Sequence, residues 1–237
     1  MGLGKIYGYG VDIASYQGLP VWAKVKAGGF HFAYVKTTQF PGYYNPLAKQ
    51  QRQTAFQAGL FVGNYCYCAG NRDDGVAQAQ FFLSHSEIQP WHLLPFLDLE
   101  ENGSEGATRD ELTTCAMDWG NNVAKFLKVP RLILYTDQNM LRNRIRVTRA
   151  LQKLYMLDLA DWTLGPPPNL RGWDIIMQQY DTSRNIAGIS GPVDKDRVYV
   201  SLQSLQIASN REQPPPKPQH NKPASAVVAT LRSVLRR

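Results

Sequence analysis

Leu93-Leu94-Pro95-Phe96-Leu97-Asp98-Leu99-Glu100 is a short apolar run that ends in two acids one residue apart. An apolar run of this length, rich in large side chains, reads as a buried strand. Side chains alternate along a strand, so Asp98 and Glu100 share a face, with Cβ atoms roughly 6–7 Å apart. Working outward, similar runs stand at 9–13, 30–36 and 60–67 before it, and at 131–135, 155–160, 175–180 and 197–200 after it. Helical patterns separate the early ones: near 20–27, over 46–58 with Gly59 placed as a C-cap, over 74–85, over 110–128, and a basic stretch over 138–153. Strands alternating with helices imply βαβ units and a mainly parallel sheet. Eight strands, with helices between the first five and few among the last three, predict an irregular α/β barrel.

In a parallel barrel the site forms at the C-terminal ends of the strands, which is where Asp98 and Glu100 fall. Two carboxyls held in one low-dielectric cleft repel, and one keeps its proton near neutral pH. Glycoside cleavage needs that pairing: an acid for the leaving oxygen and an anion facing the developing oxocarbenium charge. A solvated Asp/Glu pair at a strand end is the plain alternative. Asp12 ends the first strand and Asp194 precedes the last, so acids from three strands converge on one mouth. Asp12 as a helix cap and Asp194 as a turn former are the simpler readings of each alone. Tyr34, Tyr65, Tyr67, Tyr135 and Tyr180 also stand at strand ends, where aromatic faces suit the apolar C–H faces of sugars, although core packing would use them equally well.

At 237 residues, 43% hydrophobic and 11% aromatic, the chain can bury a barrel-sized core. No run approaches a membrane span, and residues 1–7 lack the apolar segment of a signal peptide. Cys66, Cys68 and Cys115 lack a second ligand pair at zinc spacing and read as buried free thiols. The four histidines show no metal spacing, and no Gly-x-Ser-x-Gly elbow or phosphate loop is present. Of the net charge of +7, the residues from Arg211 onward carry +5. The basic character therefore points to an anionic surface for the tail and not to a nucleic-acid-binding domain. Composition changes after residue 210: a Pro-rich linker spans 211–224, and Val227, Val228, Leu231, Val234 and Leu235 trace one apolar helix face within 225–237. That basic amphipathic helix is expected to dock on an anionic membrane or lipopolysaccharide, or to pack as a tether on the barrel or another protein.

Taken in order, these segments resemble a known family. Gly10-Val11-Asp12-Ile13-Ala14-Ser15-Tyr16-Gln17-Gly18, Phe32-Ala33-Tyr34-Val35-Lys36-Thr37-Thr38, Ala58-Gly59-Leu60-Phe61-Val62-Gly63-Asn64-Tyr65 and Leu97-Asp98-Leu99-Glu100 come first. Ile133-Leu134-Tyr135-Thr136, Leu159-Ala160-Asp161, Gln179-Tyr180 and Gly188-Ile189-Ser190-Gly191-Pro192-Val193-Asp194 follow. Over residues 9–200 the chain is similar to the family 25 lysozymes, the glycoside hydrolases typified by fungal and phage muramidases. The resemblance implies a TIM-like (β/α)5(β)3 barrel occupying residues 1–210. It also implies hydrolysis of the β-1,4 bond between N-acetylmuramic acid and N-acetylglucosamine in peptidoglycan, by a monomer without metal or organic cofactor. Carried over by position, Glu100 would be the general acid. Asp98 would stabilise the transition state, directly or by orienting the substrate acetamido group as internal nucleophile. Asp12 and Asp194 would complete the acidic cluster, and Tyr34, Tyr65, Tyr135 and Gln179 would bind the sugars.

Three departures stand out. Gln39-Phe40 replaces a frequent Glu-Gly after the second strand, Cys66 replaces the usual His after the third-strand Tyr, and tryptophans common near Asp158 and Gln178 are missing. They motivate the rival expectation of a non-catalytic wall-binding or virion structural module on a degraded muramidase fold. The retained Asp12, Asp98 and Glu100 argue against it. With no signal peptide, a wall-degrading enzyme is expected to be made in the cytoplasm and released by lysis or carried in a particle, as a phage endolysin or virion lysozyme would be.

Overall fold

A computed structural model of the chain describes residues 5–70, 74–163 and 165–207. The expected linker and C-terminal helix lie outside these residues. Eight strands close into a barrel: β1 (Gly8–Ile13), β2 (Phe32–Gln39), β4 (Phe61–Tyr67), β5 (Phe96–Asp98), β6 (Leu132–Asp137), β7 (Tyr155–Ala160), β8 (Ile175–Ser183) and β9 (Val193–Val198). The ladders from β1 through β2 and β4 to β8 are all parallel. The last strand, β9, runs antiparallel to both β8 and β1 and closes the ring. A two-residue strand, β3 (Tyr43–Tyr44), hairpins onto the end of β2.

Helices α1 (Trp22–Ala27), α2 (Ala48–Gln57), α3 (Gly75–His85) and α4 (Arg109–Leu127) follow the first four barrel strands. A π-helical turn (Met140–Arg144) and α5 (Arg149–Leu154) follow the fifth, and among the described residues β7, β8 and β9 have no helices between them. This is the (β/α)5(β)3 arrangement. Local chemistry sets several boundaries. Thr108 caps α4, its side chain accepting from the Glu111 N–H while Glu111 reaches back to the Thr108 N–H. Asp74 caps α3 through the Ala77 N–H at 3.1 Å.

The basic stretch 138–153, expected as one helix, is two pieces. Ile145 is fully buried and extended, and Thr148 starts a new helix by accepting from the Leu151 N–H. Burying Ile145 against the core outweighs continuing an exposed basic helix. The last strand also starts earlier than expected, at Val193 in place of Arg197.

Strand alternation divides the core. Outward-facing Val11, Ile13, Ala33, Val35 and Val62 pack on Trp22 and Val25 of α1 and Ala55 of α2. On the far side, Leu97 and Leu99 join a layer with Phe82 of α3 and Trp119 of α4, whose rings lie 5.3 Å apart. The barrel interior is filled by rings from β2 and β5, and two glycines make that possible. A Cβ at Gly10 would lie 2.2 Å from the Phe32 ring, and one at Gly63 would lie 2.1 Å from the Tyr34 ring. Packed aromatics thus form a floor, and the site is built above it.

Candidate active site

Asp12 lies in β1, one residue before its end, and pairs across the ladder with Asp194 at the start of β9. Because β9 is antiparallel, its beginning reaches the same mouth as the ends of the parallel strands. Asp98 is the last residue of β5. Leu99 extends that ladder by one bond, its N–H donating to the Tyr135 carbonyl at 3.0 Å, and so delivers Glu100 to the rim. The four acids open into one pocket together with Tyr65, Tyr135 and Gln179. Tyr16, Lys36, Tyr67 and Phe96 line the rest.

A hydrogen-bonded chain crosses the mouth. The Tyr135 hydroxyl donates to Gln179 Oε1 at 2.8 Å, and Gln179 Nε2 donates to Asp12 Oδ2 at 3.2 Å. The indole N–H of Trp162 also donates to Gln179 Oε1, at 3.0 Å. These bonds fix the Gln179 amide with its N–H toward Asp12. Below, Phe96 stacks on Tyr65 with ring centroids 4.6 Å apart, which holds the pocket floor apolar.

Burial raises the proton affinity of every acid here, and repulsion by neighbouring carboxylates adds to it for Asp12, Asp98 and Glu100. Burial, then Asp194, pushes Asp12 up to about 7, with the Gln179 hydrogen bond opposing. Burial and then Glu100 raise Asp98 well above the carboxylate range. Glu100 is raised by burial, with Tyr135 and Lys36 pulling it back, and Asp194 is raised by burial against a hydrogen bond from Thr182. Lys36 is the single cation among the pocket-lining residues. Its ammonium lies 4.5 Å from the centroid of the Tyr67 ring and 3.4 Å from Gln39 Oε1.

One expected residue is elsewhere. Tyr34, expected to bind sugar, is fully buried, donates its hydroxyl to the Leu94 carbonyl at 2.9 Å and packs on Phe96 in the barrel floor. Its position in β2 precedes the mouth by one full alternation, and Lys36 takes the rim place. Tyr180 points outward, where Lys195 and Arg197 lie over its ring. Cys66 also faces outward, buried toward the helix layer, so the His-to-Cys change does not touch the pocket.

Other groups were not anticipated. Asp158 and Asp196 are buried in the barrel, 1% and 2% exposed, and burial followed by the charge of Asp12 lifts both well above the carboxylate range. A period-two step from Asp194 points to Asp196, and Asp158 is the lone charge in an apolar strand; both signals are in the sequence. Tyr16 and Trp162, 69% and 60% exposed, present aromatic faces at the mouth. Among the described residues no group of three or more His, Cys, Asp or Glu side chains could hold a metal ion.

A closed barrel whose mouth gathers carboxyls of raised proton affinity between tyrosines defines a glycosidase-type site. The sequence profile described as "Glycosyl hydrolases family 25" matches residues 11–189, and the chain belongs to that family of glycoside hydrolases. It is 26% identical to "Lysozyme M1" of Streptomyces globisporus over 208 residues, 85% of this chain and 71% of that protein. With "N,O-diacetylmuramidase" of Chalaropsis sp it shares 34% identity over 106 residues, 41% of this chain and 49% of that protein. The crystal structure of a bacterial lysozyme from Streptomyces coelicolor superposes with a TM-score of 0.77 at 24% identity, covering 88% of this chain and all of the other. That likeness establishes the barrel independently of sequence.

Proposed function

We propose that this chain is a peptidoglycan muramidase that hydrolyses the β-1,4 bond between N-acetylmuramic acid and N-acetylglucosamine. The observation that carries it is the convergence of Asp98 and Glu100 with Asp12 and Asp194 in one tyrosine-lined mouth. Family membership and the names of the lysozyme and diacetylmuramidase relatives support the choice of substrate.

Asp98 and Glu100 titrate as a pair, so the pair keeps a proton after its first has left. Glu100 stands at the rim, where that proton reaches the leaving glycosidic oxygen. Asp98 lies deeper, where burial and Glu100 raise its proton affinity against the pull of Lys36. In this proposal its anion, formed when the proton stays with Glu100, faces the oxocarbenium centre or orients the acetamido group. Asp12, held by Gln179, and Asp194 complete the polar wall. Tyr65, Tyr135 and Gln179 border the sugar, and the exposed rings of Tyr16 and Trp162 offer stacking faces at the entrance.

The test is digestion of purified peptidoglycan followed by mass spectrometry of the reduced fragments. Muramic acid at the new reducing ends is the expected result; glucosamine ends, or no release, refute the assignment. No release would favour the rival non-catalytic wall-binding module. The setting we propose is release from a cytoplasm by lysis or delivery in a phage particle, with residues 225–237 docking on an anionic membrane surface. Deleting residues 213–237 should then reduce liposome binding and lysis from outside while leaving activity on isolated walls unchanged. Equal binding by both forms would defeat that role.

A further inference from the structure

Cys68 and Cys115 are not part of the pocket, yet their sulfurs lie 3.2 Å apart and both side chains are fully buried. Cys68 follows β4 directly and Cys115 sits in α4, 47 residues later in the chain. Nothing polar competes strongly for the pair: Gln78 Nε2 is 3.5 Å from the Cys115 sulfur and otherwise holds Ala69. Close packing holds α4 in place beside the pair, since Gly75 of α3 packs against the Cys115 carbonyl where a Cβ would come within 2.3 Å of it. A disulfide needs its sulfurs at about 2.05 Å, roughly one ångström closer than here, a shift within reach of side-chain rotation.

We propose that Cys68 and Cys115 are a redox pair that closes to an intramolecular disulfide when the chain leaves a reducing compartment. The oxidant is a small-molecule disulfide of the glutathione class. One cysteine thiolate attacks it, forming a mixed disulfide and releasing one small thiol. The second cysteine then attacks the protein sulfur, forming the Cys68–Cys115 bond and releasing the second small thiol. Two cysteine thiols are oxidised and one small disulfide is reduced. The mutual hydrogen bond and burial hold the Cys68 thiol in its protonated form, so the first attack is slow in the closed barrel and proceeds through local opening.

The bond would matter to the site. The Cys68 N–H donates to the Asp98 carbonyl at 2.8 Å, and its neighbour Tyr67 lines the pocket. Cross-linking Cys68 to α4 would pin the end of β4, which is hydrogen-bonded to Asp98. It would also remove chain entropy from the unfolded state, since it closes a long loop.

The experiment uses the full-length chain, incubated folded with oxidised glutathione at about pH 8, then alkylated, digested without reduction and mapped by mass spectrometry. A peptide linking Cys68 to Cys115, about 2 Da lighter than its parts, is expected. The melting temperature should rise by at least about 5 °C and return on reduction. The same link should form in Cys66→Ser. Alkylation of both thiols after prolonged oxidation, a link through Cys66, or disulfide-bonded dimers would overturn the proposal. So would a link that leaves the melting temperature unmoved. None of these readouts depends on which glycosidic bond the enzyme cuts.

Discussion

Lys36 is the residue on which the charge balance of the mouth turns. It opposes the acids Asp12, Asp98 and Glu100, lowering the proton affinity of each. Lys36→Met should therefore move the alkaline limb of the kcat/KM profile to higher pH, because each carboxyl then holds its proton longer. An unmoved or lowered limb would contradict the electrostatic account. Phe40 shows a different strain. It adopts φ 40°, the left-handed region that favours glycine, at the position where the family often has Gly. Phe40→Gly should raise stability by about 1 kcal/mol in urea unfolding; a loss of stability would show that the Phe40 side chain outweighs its backbone strain. Asp98 and Glu100 were readable because period two and a strand end suffice to place them. Asp158 is marked in the sequence only as the lone charge within Tyr155–Ala160, and its burial at the barrel interior follows from closure of the ring.

At the scale of elements, β2 and β4 decide where the chemistry sits. Tyr34 and Tyr65 both come from tyrosines in parallel strands with similar patterning, yet one fills the floor and the other meets the pocket. Only the stagger of neighbouring strands separates them: Tyr34 pairs with Gly63, one alternation below Tyr65. That stagger is a property of the closed barrel, and a single strand read alone does not contain it. Tyr34→Phe should thus lose about 1 kcal/mol through the missing bond to Leu94, with kcat/KM nearly unchanged. A large rise in KM at full stability would instead restore Tyr34 to the sugar site. The start of β9 was misplaced for a related reason. Val193–Val198 sets four consecutive charged residues between two valines, and the buried Asp196 and Arg197 hide the strand from a hydrophobicity reading.

For the molecule as a whole, the acid cluster couples folding to pH. Asp12 is raised from 3.8 to about 7, and Asp98, Glu100, Asp158, Asp194 and Asp196 shift in the same direction. The folded barrel then holds protons that the unfolded chain releases above about pH 4. This contribution to stability is full below that pH and is lost as pH rises through about 7. The urea midpoint should accordingly rise between pH 8 and pH 5, and Asp158→Asn should flatten that slope; a midpoint that falls on acidification would contradict the buried-acid account. The order of strands and helices makes an irregular α/β barrel legible from sequence, because hydrophobic periodicity survives where five strands alternate with helices; its (β/α)5(β)3 form is implied by the family resemblance. The central claim is that Glu100 is the proton donor, and the most direct measurement is the rate of glycan cleavage by Glu100→Gln on purified cell walls. A fall of about 10²–10⁴-fold in kcat with an unchanged melting curve is predicted; clearing at the wild-type rate would contradict it.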